Sequence, residues 1–379
     1  MRVLYISMGL PSPKGGAQLA GKRLLDKLLI HNNDEIDFYC FAKKEIPNTR
    51  TLNIPSKLNI KILGDLLYNR KLTKHIKKII NRNKLDLIHI HSYGYFAPKL
   101  PKEIPCLITF HDEGFAKSYK DNYSPWVSRI LTNLTLNLSI IIRKKMISNN
   151  FHYHSISSKI SSLLINKGIK KDRIYMITWG KYDINEKINK DNDKNTLSTY
   201  QIKNKDFLIL MVNYISHRKG IHTVVQSVLE KNRNDIKLII VGKPLPFSGK
   251  LYKRKILNTI NEFKSKSKII WLNYVSDKEL IDLYKRADLY ISASYSEGCQ
   301  LTLLEAADYE IPIICSDVGA TKDLFSNKVD FFKPGDSKKL LELIQKQIKE
   351  KNKKTKINYN IPTLDDIAKR IIQVYKEIA

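Results

Sequence analysis

The chain has 379 residues, 42% of them hydrophobic, and 66 Lys and Arg stand against 37 Asp and Glu for a formal net charge of +29. That length and apolar content suit two domains with buried cores and exclude a generally disordered chain. Cys40, Cys106, Cys299 and Cys315 form no CxxC pair and no Cys/His cluster, which excludes a disulfide framework and a structural zinc site.

In the first half, short β-branched runs alternate with helical patterns, the signature of βαβ units on a parallel sheet. The runs are "RVLYIS", "IDFYCFA", "LDLIHIHS", "CLITFHD", "HYHSISS" and "IYMITW". The N-terminal apolar run is too short for a signal peptide, and no stretch reaches the roughly 18 apolar residues of a membrane span. A soluble, cytosolic protein is the expectation. "GAQLAGKR" (16–23) has the G-x-x-x-x-G-K spacing of a phosphate loop, but Arg23 stands where Mg²⁺ binding needs Ser or Thr, and Gly21 falls inside a helical pattern. The Pro/Gly loop before it reads better as a βα turn in which Gly15 and Gly16 let backbone N–H groups face an anion. An ordinary turn is the alternative. His111 closes the strand "CLITF", where a cleft residue belongs, or is a structural histidine like its neighbours His89, His91, His152 and His154.

Two segments of this half combine apolar and basic residues. "YNRKLTKHIKKIINRN" (68–83) reads as a helix with Leu72, Ile76, Ile79 and Ile80 apolar and Lys71, Lys74, Lys77, Lys78 and Arg82 basic. "WVSRILTNLTLNLSIIIRKKMI" (126–147) ends in Arg143, Lys144 and Lys145. Either these segments dock on an anionic membrane surface, or their apolar faces bury against the sheet and the cations are solvated. The first 190 residues carry 33 Lys and Arg against 14 Asp and Glu, the remainder 33 against 23. The excess is therefore concentrated in the first half, and it reads either as functional or as the compositional bias that also makes Asn and Ile abundant. Nucleic acid is not an expected partner, because the basic residues are dispersed and no recognition motif is present.

The polar stretch 180–205 reads as a linker, and its "DND" (191–193) as a solvated charge run. Alternation then restarts with "DFLILMVNYI", "IKLIIVGKP", "IIWLNYV", "DLYISAS" and "IPIICSD". The predicted organisation is a first Rossmann-like domain over 1–180 and a second over 181–361. A closing helix over 362–379, with Ile367, Ile371 and Val374 on one face, packs back on the first. Two doubly wound α/β domains in series face each other across a cleft, with ligands beyond the carboxyl ends of the strands.

Two segments of the second half carry chemistry. In "NYISHRKGIHTVVQSV", Lys219-Gly220 opens a helix with Arg218 beside it, and these cations suit a diphosphate better than a core, a solvated basic turn being the alternative. In "SEGCQLTLLEA", Glu297 lies in the loop after a strand and Glu305 about one turn into the next helix. Between them Gly298, Cys299, Gln300 and Leu301 present N–H groups at a helix N-terminus, an anion site. Two acids flanking an anion site must reach past it to hydroxyls at either end of the ligand. A nucleotide sugar has that layout: ribose, diphosphate, hexose.

At this point the chain resembles the GT-B retaining glycosyltransferases, specifically glycosyltransferase family 4, over nearly its whole length. "SEGCQLTLLEAADYEIPIICSDVGA" follows the family's Glu-Gly-Phe-Gly-x-x-x-x-Glu-Ala block, strand and Gly-rich turn. "IIWLNYVSDKELIDLYKRADLYISAS", the N-terminal "GG" loop, "FHD" and "HSISSKISSLLINKGI" look like the corresponding family segments. The resemblance implies transfer of a sugar from a nucleoside diphosphate donor to a glycan or lipid-linked glycan acceptor in surface-polysaccharide assembly, without a metal or other cofactor. It implies that Glu297 contacts donor-sugar hydroxyls and Glu305 the ribose. Lys219 and the N–H groups after Gly298 take the diphosphate, while His111 approaches the sugar and Gly16 the diphosphate. Two departures stand out: Asn213-Tyr214 where the family carries Gly-Arg, with Arg218 as the replacement cation, and Cys299-Gln300 in place of Phe-Gly. A sugar-nucleotide epimerase or hydrolase, or a catalytically weak sugar-binding relative, is the alternative on the same scaffold.

Overall fold

The computed structural model describes residues 1–7, 9–12, 15–42, 44–53, 61–92, 100–111, 147–182, 196–245, 248–351 and 357–379, with 61–70 and 196–197 described in backbone only. The described residues up to Gly180, together with Pro362–Ala379, form one compact unit, and those of Lys181–Ile361 form the other.

The first unit contains β1 (Arg2–Ser7), α1 (Gly16–Ile30), β2 (Asp37–Ala42), β3 (Arg50–Asn53), α2 (Lys61–Asn83), β4 (Leu87–Ser92), β5 (Cys106–Phe110), β6 (His152–Ser155), α3 (Ser158–Asn166) and β7 (Ile174–Met176). Its seven strands are ordered β3-β2-β1-β4-β5-β6-β7, and every pair is parallel. β1 and β5 are buried along almost their whole length, as strands covered on both faces must be. The edge strand β3, "RTLN", is absent from the sequence-based expectation because an exposed edge tolerates polar residues and gives no apolar run.

Leu72, Ile76 and Ile79 of α2 are buried in the core with Leu4, Ile88 and Ile90, so the apolar stripe of its described side chains is spent on the sheet. Gly21 lies mid-helix in α1, where a Cβ would stand 2.4 Å from Ser7 Oγ and 2.5 Å from His91 Nδ1. This glycine serves close helix–sheet packing. The C-terminal helix (Leu364–Ile378) starts with a Thr363/Asp366 capping box and buries Ile367, Ala368, Ile371, Val374 and Tyr375. Tyr375 Oη lies 2.6 Å from His89 Nδ1, and Asp365 pairs with Lys27 of α1 at 3.0 Å. These contacts tie the last helix to the first unit.

The second unit contains β8 (Phe207–Val212), a 3₁₀ turn (His217–Lys219), α4 (Ile221–Lys231), β9 (Ile236–Val241), α5 (Ser248–Glu262), β10 (Lys268–Leu272), α6 (Asp277–Arg286), β11 (Leu289–Ser292), α7 (Leu301–Asp308), β12 (Ile313–Ser316), α8 (Thr321–Phe325), β13 (Asp330–Phe332) and α9 (Ser337–Lys349). The order β10-β9-β8-β11-β12-β13 is again all parallel, and strand order reverses between β8 and β11. The core joins Ile209, Met211 and Ile291 of the sheet to Val224, Val228, Leu340 and Ile344 of α4 and α9. The residues of "DND" and nearly all of 126–147 lie outside the described residues. Among the described residues no helix is long and apolar enough to cross a membrane.

Candidate active site

In the second unit the loops leaving β8 and β11 lie side by side at the point where strand order reverses, which is where open α/β sheets bind ligands. Gly220 makes the contact possible. It stands at φ 63°, and a Cβ there would be 1.9 Å from Ala293 O. Only glycine meets both demands. Lys219 therefore sits just before the N-terminus of α4, in the 3₁₀ turn, and not inside the helix itself.

Four contacts strap this turn to the loop after β11. The Tyr295 N–H donates to Arg218 O at 2.8 Å, and the Arg218 guanidinium donates to Ser296 O. Lys219 Nζ donates to Glu297 Oε1 at 2.6 Å, and Arg218 Nη1 lies 3.1 Å from the same oxygen. Lys219 and Glu297 are each 8% exposed, so the pair is buried, with the half-exposed Arg218 at its rim. Burial pushes the Glu297 carboxyl up, but Lys219 and Arg218 outweigh it and hold the group at about 2. For Lys219 burial wins over the attraction of Glu297, and the ammonium is held below its ordinary range.

The segment after Glu297 is braced from beneath. Gly319, at φ 57°, carries a position whose Cβ would be 2.2 Å from Gly298 O, and the Ala320 N–H donates to that oxygen at 2.7 Å. Gln300 is the N-cap of α7, and its buried amide bridges Ser292 Oγ and Ser294 Oγ. The first intrahelical bonds of α7 run from the N–H groups of Leu303 and Leu304 to Gln300 O, leaving those of Leu301 and Thr302 ahead of the ladder. Cys299 is half-buried. Glu305, 8% exposed, accepts from Tyr284 Oη at 3.1 Å. Burial, then the Glu305 charge, raises Tyr284 far above its ordinary range, so it remains a donor. Tyr284 is a site residue that sequence reasoning missed, because nothing but the tertiary fold brings α6 to α7.

Asn213 is buried, and its Nδ2 has no hydrogen-bond partner among the described residues, while Tyr214 is half-exposed. The cation that touches Glu297 next to Lys219 is Arg218. Among the described residues no group of three His, Cys, Asp or Glu is placed to hold a metal.

The structure places the two remaining candidates, Gly16 and His111, in the first unit, at the carboxyl ends of β1 and β5 on either side of β4. Gly15 is the N-cap of α1, and a Cβ at Gly15 or Gly16 meets nothing within 4 Å. His111 Nε2 donates to His91 O at 2.7 Å, and its ring stacks on Trp179 at 5.7 Å and 12°. The fully buried His91 ring stands edge-on to it at 4.4 Å. Burial, then His111, lowers His91 well below the usual imidazole range, so it is neutral. His91 and Trp179 thus box the His111 ring, a role that their sequence positions do not announce.

Residues 192–363 match the family described as glycosyl transferases group 1, and residues 24–180 match glycosyltransferase family 4. The chain belongs to this GT-B family. It is 25% identical over 219 residues to the capsular polysaccharide biosynthesis glycosyltransferase CapM of Staphylococcus aureus, with 54% of each chain covered. It is 26% identical over 284 residues to the alpha-monoglucosyldiacylglycerol synthase of Acholeplasma laidlawii, covering 69% of this chain and 65% of that one. The matched part thus spans between about half and two thirds of those relatives. The fold is also that of Anabaena Alr3699/HepE, solved in complex with UDP-glucose, with TM-score 0.64, 17% identity and 100% and 98% of the two chains covered.

The Lys219–Glu297 ion pair has a pH signature. The folded-state pKa of Glu297 lies below the ordinary 4.5, so its stabilisation is present above that value and is lost as pH falls toward about 2. Glu297→Gln leaves Lys219 buried without its counter-ion, which destabilises by about 3–5 kcal/mol near neutrality. Denaturant titration of both proteins across pH is expected to show that gap narrowing from about pH 4.5 downward. A gap independent of pH contradicts the pair.

Proposed function

We propose that this protein is a retaining glycosyltransferase that moves a sugar from a nucleoside diphosphate donor to a glycan or lipid-linked glycan acceptor, in the assembly of a bacterial surface polysaccharide. The observation that carries this reading is the buried Lys219–Glu297 pair with Arg218 at its rim. It stands before the N-terminus of α7, and Glu305 lies one turn into that helix. Arg218, Lys219 and the N–H groups near Leu301 supply the positive field that a leaving diphosphate needs, with no metal required. Once a diphosphate shares the two cations, Glu297 is released toward the sugar hydroxyls, and Glu305, oriented by Tyr284, takes the ribose.

In the reaction the acceptor oxygen forms its bond to the anomeric carbon on the face from which the phosphate oxygen departs. The acceptor's proton passes to that phosphate oxygen. The relatives' names, a capsular polysaccharide glycosyltransferase and a glucosyldiacylglycerol synthase, support a glycan or lipid-linked acceptor, and the UDP-glucose complex of Alr3699/HepE supports the donor class.

The direct test is a panel of labelled nucleotide sugars offered with lipid-linked acceptors in EDTA. Transfer is expected without metal. Arg218→Ala and Lys219→Ala each weaken binding of the nucleoside diphosphate by about 1.5–3 kcal/mol, Glu305→Ala by about 1–3 kcal/mol, and Glu297→Ala lowers turnover more than affinity. Normal activity in both glutamate variants contradicts the assignment, as does strict Mn²⁺ dependence.

We also propose that the first unit works as a peripheral protein on the inner face of the cell membrane. Lys71, Lys74, Lys77, Lys78 and Arg82 are exposed along α2, and Leu72, Ile76 and Ile79 are buried, so among its described side chains the helix offers a bilayer mainly charge. Each cation near an anionic surface contributes about 1 kcal/mol. Flotation is expected to show binding to anionic vesicles at low salt, loss of binding at high salt and none to neutral vesicles. No binding at low salt returns the charge to compositional bias.

A further inference from the structure

Beside the charged cluster three rings lie nearly parallel. His217 stacks on His222 at 4.7 Å and 8°, and Tyr295 lies 5.5 Å from His217 and 5.8 Å from His222, at 20° and 13°. Tyr252, from α5, stands edge-on to both histidines. Its Oη accepts the backbone N–H of His222 at 2.9 Å and lies 2.7 Å from His222 Nδ1.

The direction of these hydrogen bonds can be assigned. A phenol is a good donor, and with one lone pair of Tyr252 Oη occupied by the backbone N–H, its hydrogen is directed to Nδ1. Burial, then His217, lowers His222 to about 4, so the imidazole is neutral. A neutral imidazole that accepts at Nδ1 carries its hydrogen on Nε2. Nε2 lies 3.1 Å from Tyr295 Oη, and so donates to it. On the other side a Cβ at Gly335 would stand 2.8 Å from Tyr295 Oη, so the hydroxyl fits closely against backbone there. The backbone N–H of Tyr295 holds Arg218 O at 2.8 Å, and Glu297 follows two residues later.

We propose that Tyr295 is a positioning residue, which the hydrogen-bond chain from Tyr252 through His222 holds in place so that Arg218 and Lys219 are set for a nucleoside diphosphate. The proposal rests on the donor-site reading above. It gives His222 a role set by its two nitrogens: Nδ1 only anchors the ring to α5, whereas Nε2–H transmits the anchor to the Tyr295 loop. Side-chain amides separate the two. Asparagine reproduces an acceptor near Nδ1, and glutamine a donor near Nε2.

The experiment compares wild type with Tyr295→Phe, His222→Gln and His222→Asn, measuring UDP affinity, melting temperature and the ¹⁵N shifts of the imidazoles. UDP affinity is expected to fall about threefold to tenfold in Tyr295→Phe and His222→Asn, the net worth of one hydrogen bond. His222→Gln should stay within about twofold of wild type, a smaller change than that one bond produces. A purely structural role lowers melting temperature in both His222 variants without this ordering. Wild-type affinity in Tyr295→Phe, or equal losses in the two His222 variants, overturns the proposal. If wild type binds neither UDP nor another nucleoside diphosphate, the donor-site reading fails instead. The imidazole shifts then decide the network: His222 neutral with hydrogen on Nε2, and perturbed in Tyr295→Phe, upholds it, and hydrogen on Nδ1 overturns it.

Discussion

Two opposite charges buried against each other are costly to form and costlier to separate, and the second unit is organised around one such pair. Lys219 and Glu297 come from different loops, 78 residues apart in sequence, and meet at 2.6 Å where almost no water reaches. Neither could be buried alone, because an isolated charge in that position faces a desolvation penalty of several kcal/mol. The pair therefore fixes the turn after β8 to the loop after β11. Arg218 adds a second cation to the same carboxylate oxygen, so Glu297 is held by two cations before any ligand arrives.

The surrounding structure makes this juxtaposition possible. The strand order puts β8 next to β11, at the point where the order reverses. Glycines at 220 and 319 then let backbone approach backbone at distances that any side chain would forbid. Gln300 and the serines on β11 and its following loop satisfy one another beneath the helix start. A polar layer of this kind is stable only when its members are all paired, and it orients the groups above it. The first unit repeats the strategy with aromatic partners: His111 rests between the His91 carbonyl and the Trp179 ring.

Much of this was legible in the sequence because periodicity and spacing report local geometry. The β-branched runs marked the central strands of both sheets, and the seven residues between Glu297 and Glu305 put one acid in the loop and the other a turn into α7. The short edge strands β3 and β13 gave no such signal, since three or four residues with polar members look like loop. Contacts made only by topology were silent too. Tyr284 reaches Glu305 across 21 residues, and Tyr375 reaches His89 across 286, so neither leaves a local pattern. The phosphate-loop spacing that the sequence reading set aside has its reason in packing, because Gly21 is the glycine that lets α1 lie close to His91.

The account stands or falls on whether Lys219 and Glu297 act as one unit. A double-mutant cycle with Lys219→Met and Glu297→Gln, read by equilibrium denaturation near neutral pH, measures their coupling directly. Glu297→Gln leaves Lys219 buried without its counter-ion, and Lys219→Met leaves Glu297 only the rim cation Arg218, whereas the double variant removes both buried charges, so it should be more stable than the sum of the two losses by about 2 kcal/mol or more. Losses that add to within about 0.5 kcal/mol would show that the two side chains do not depend on each other.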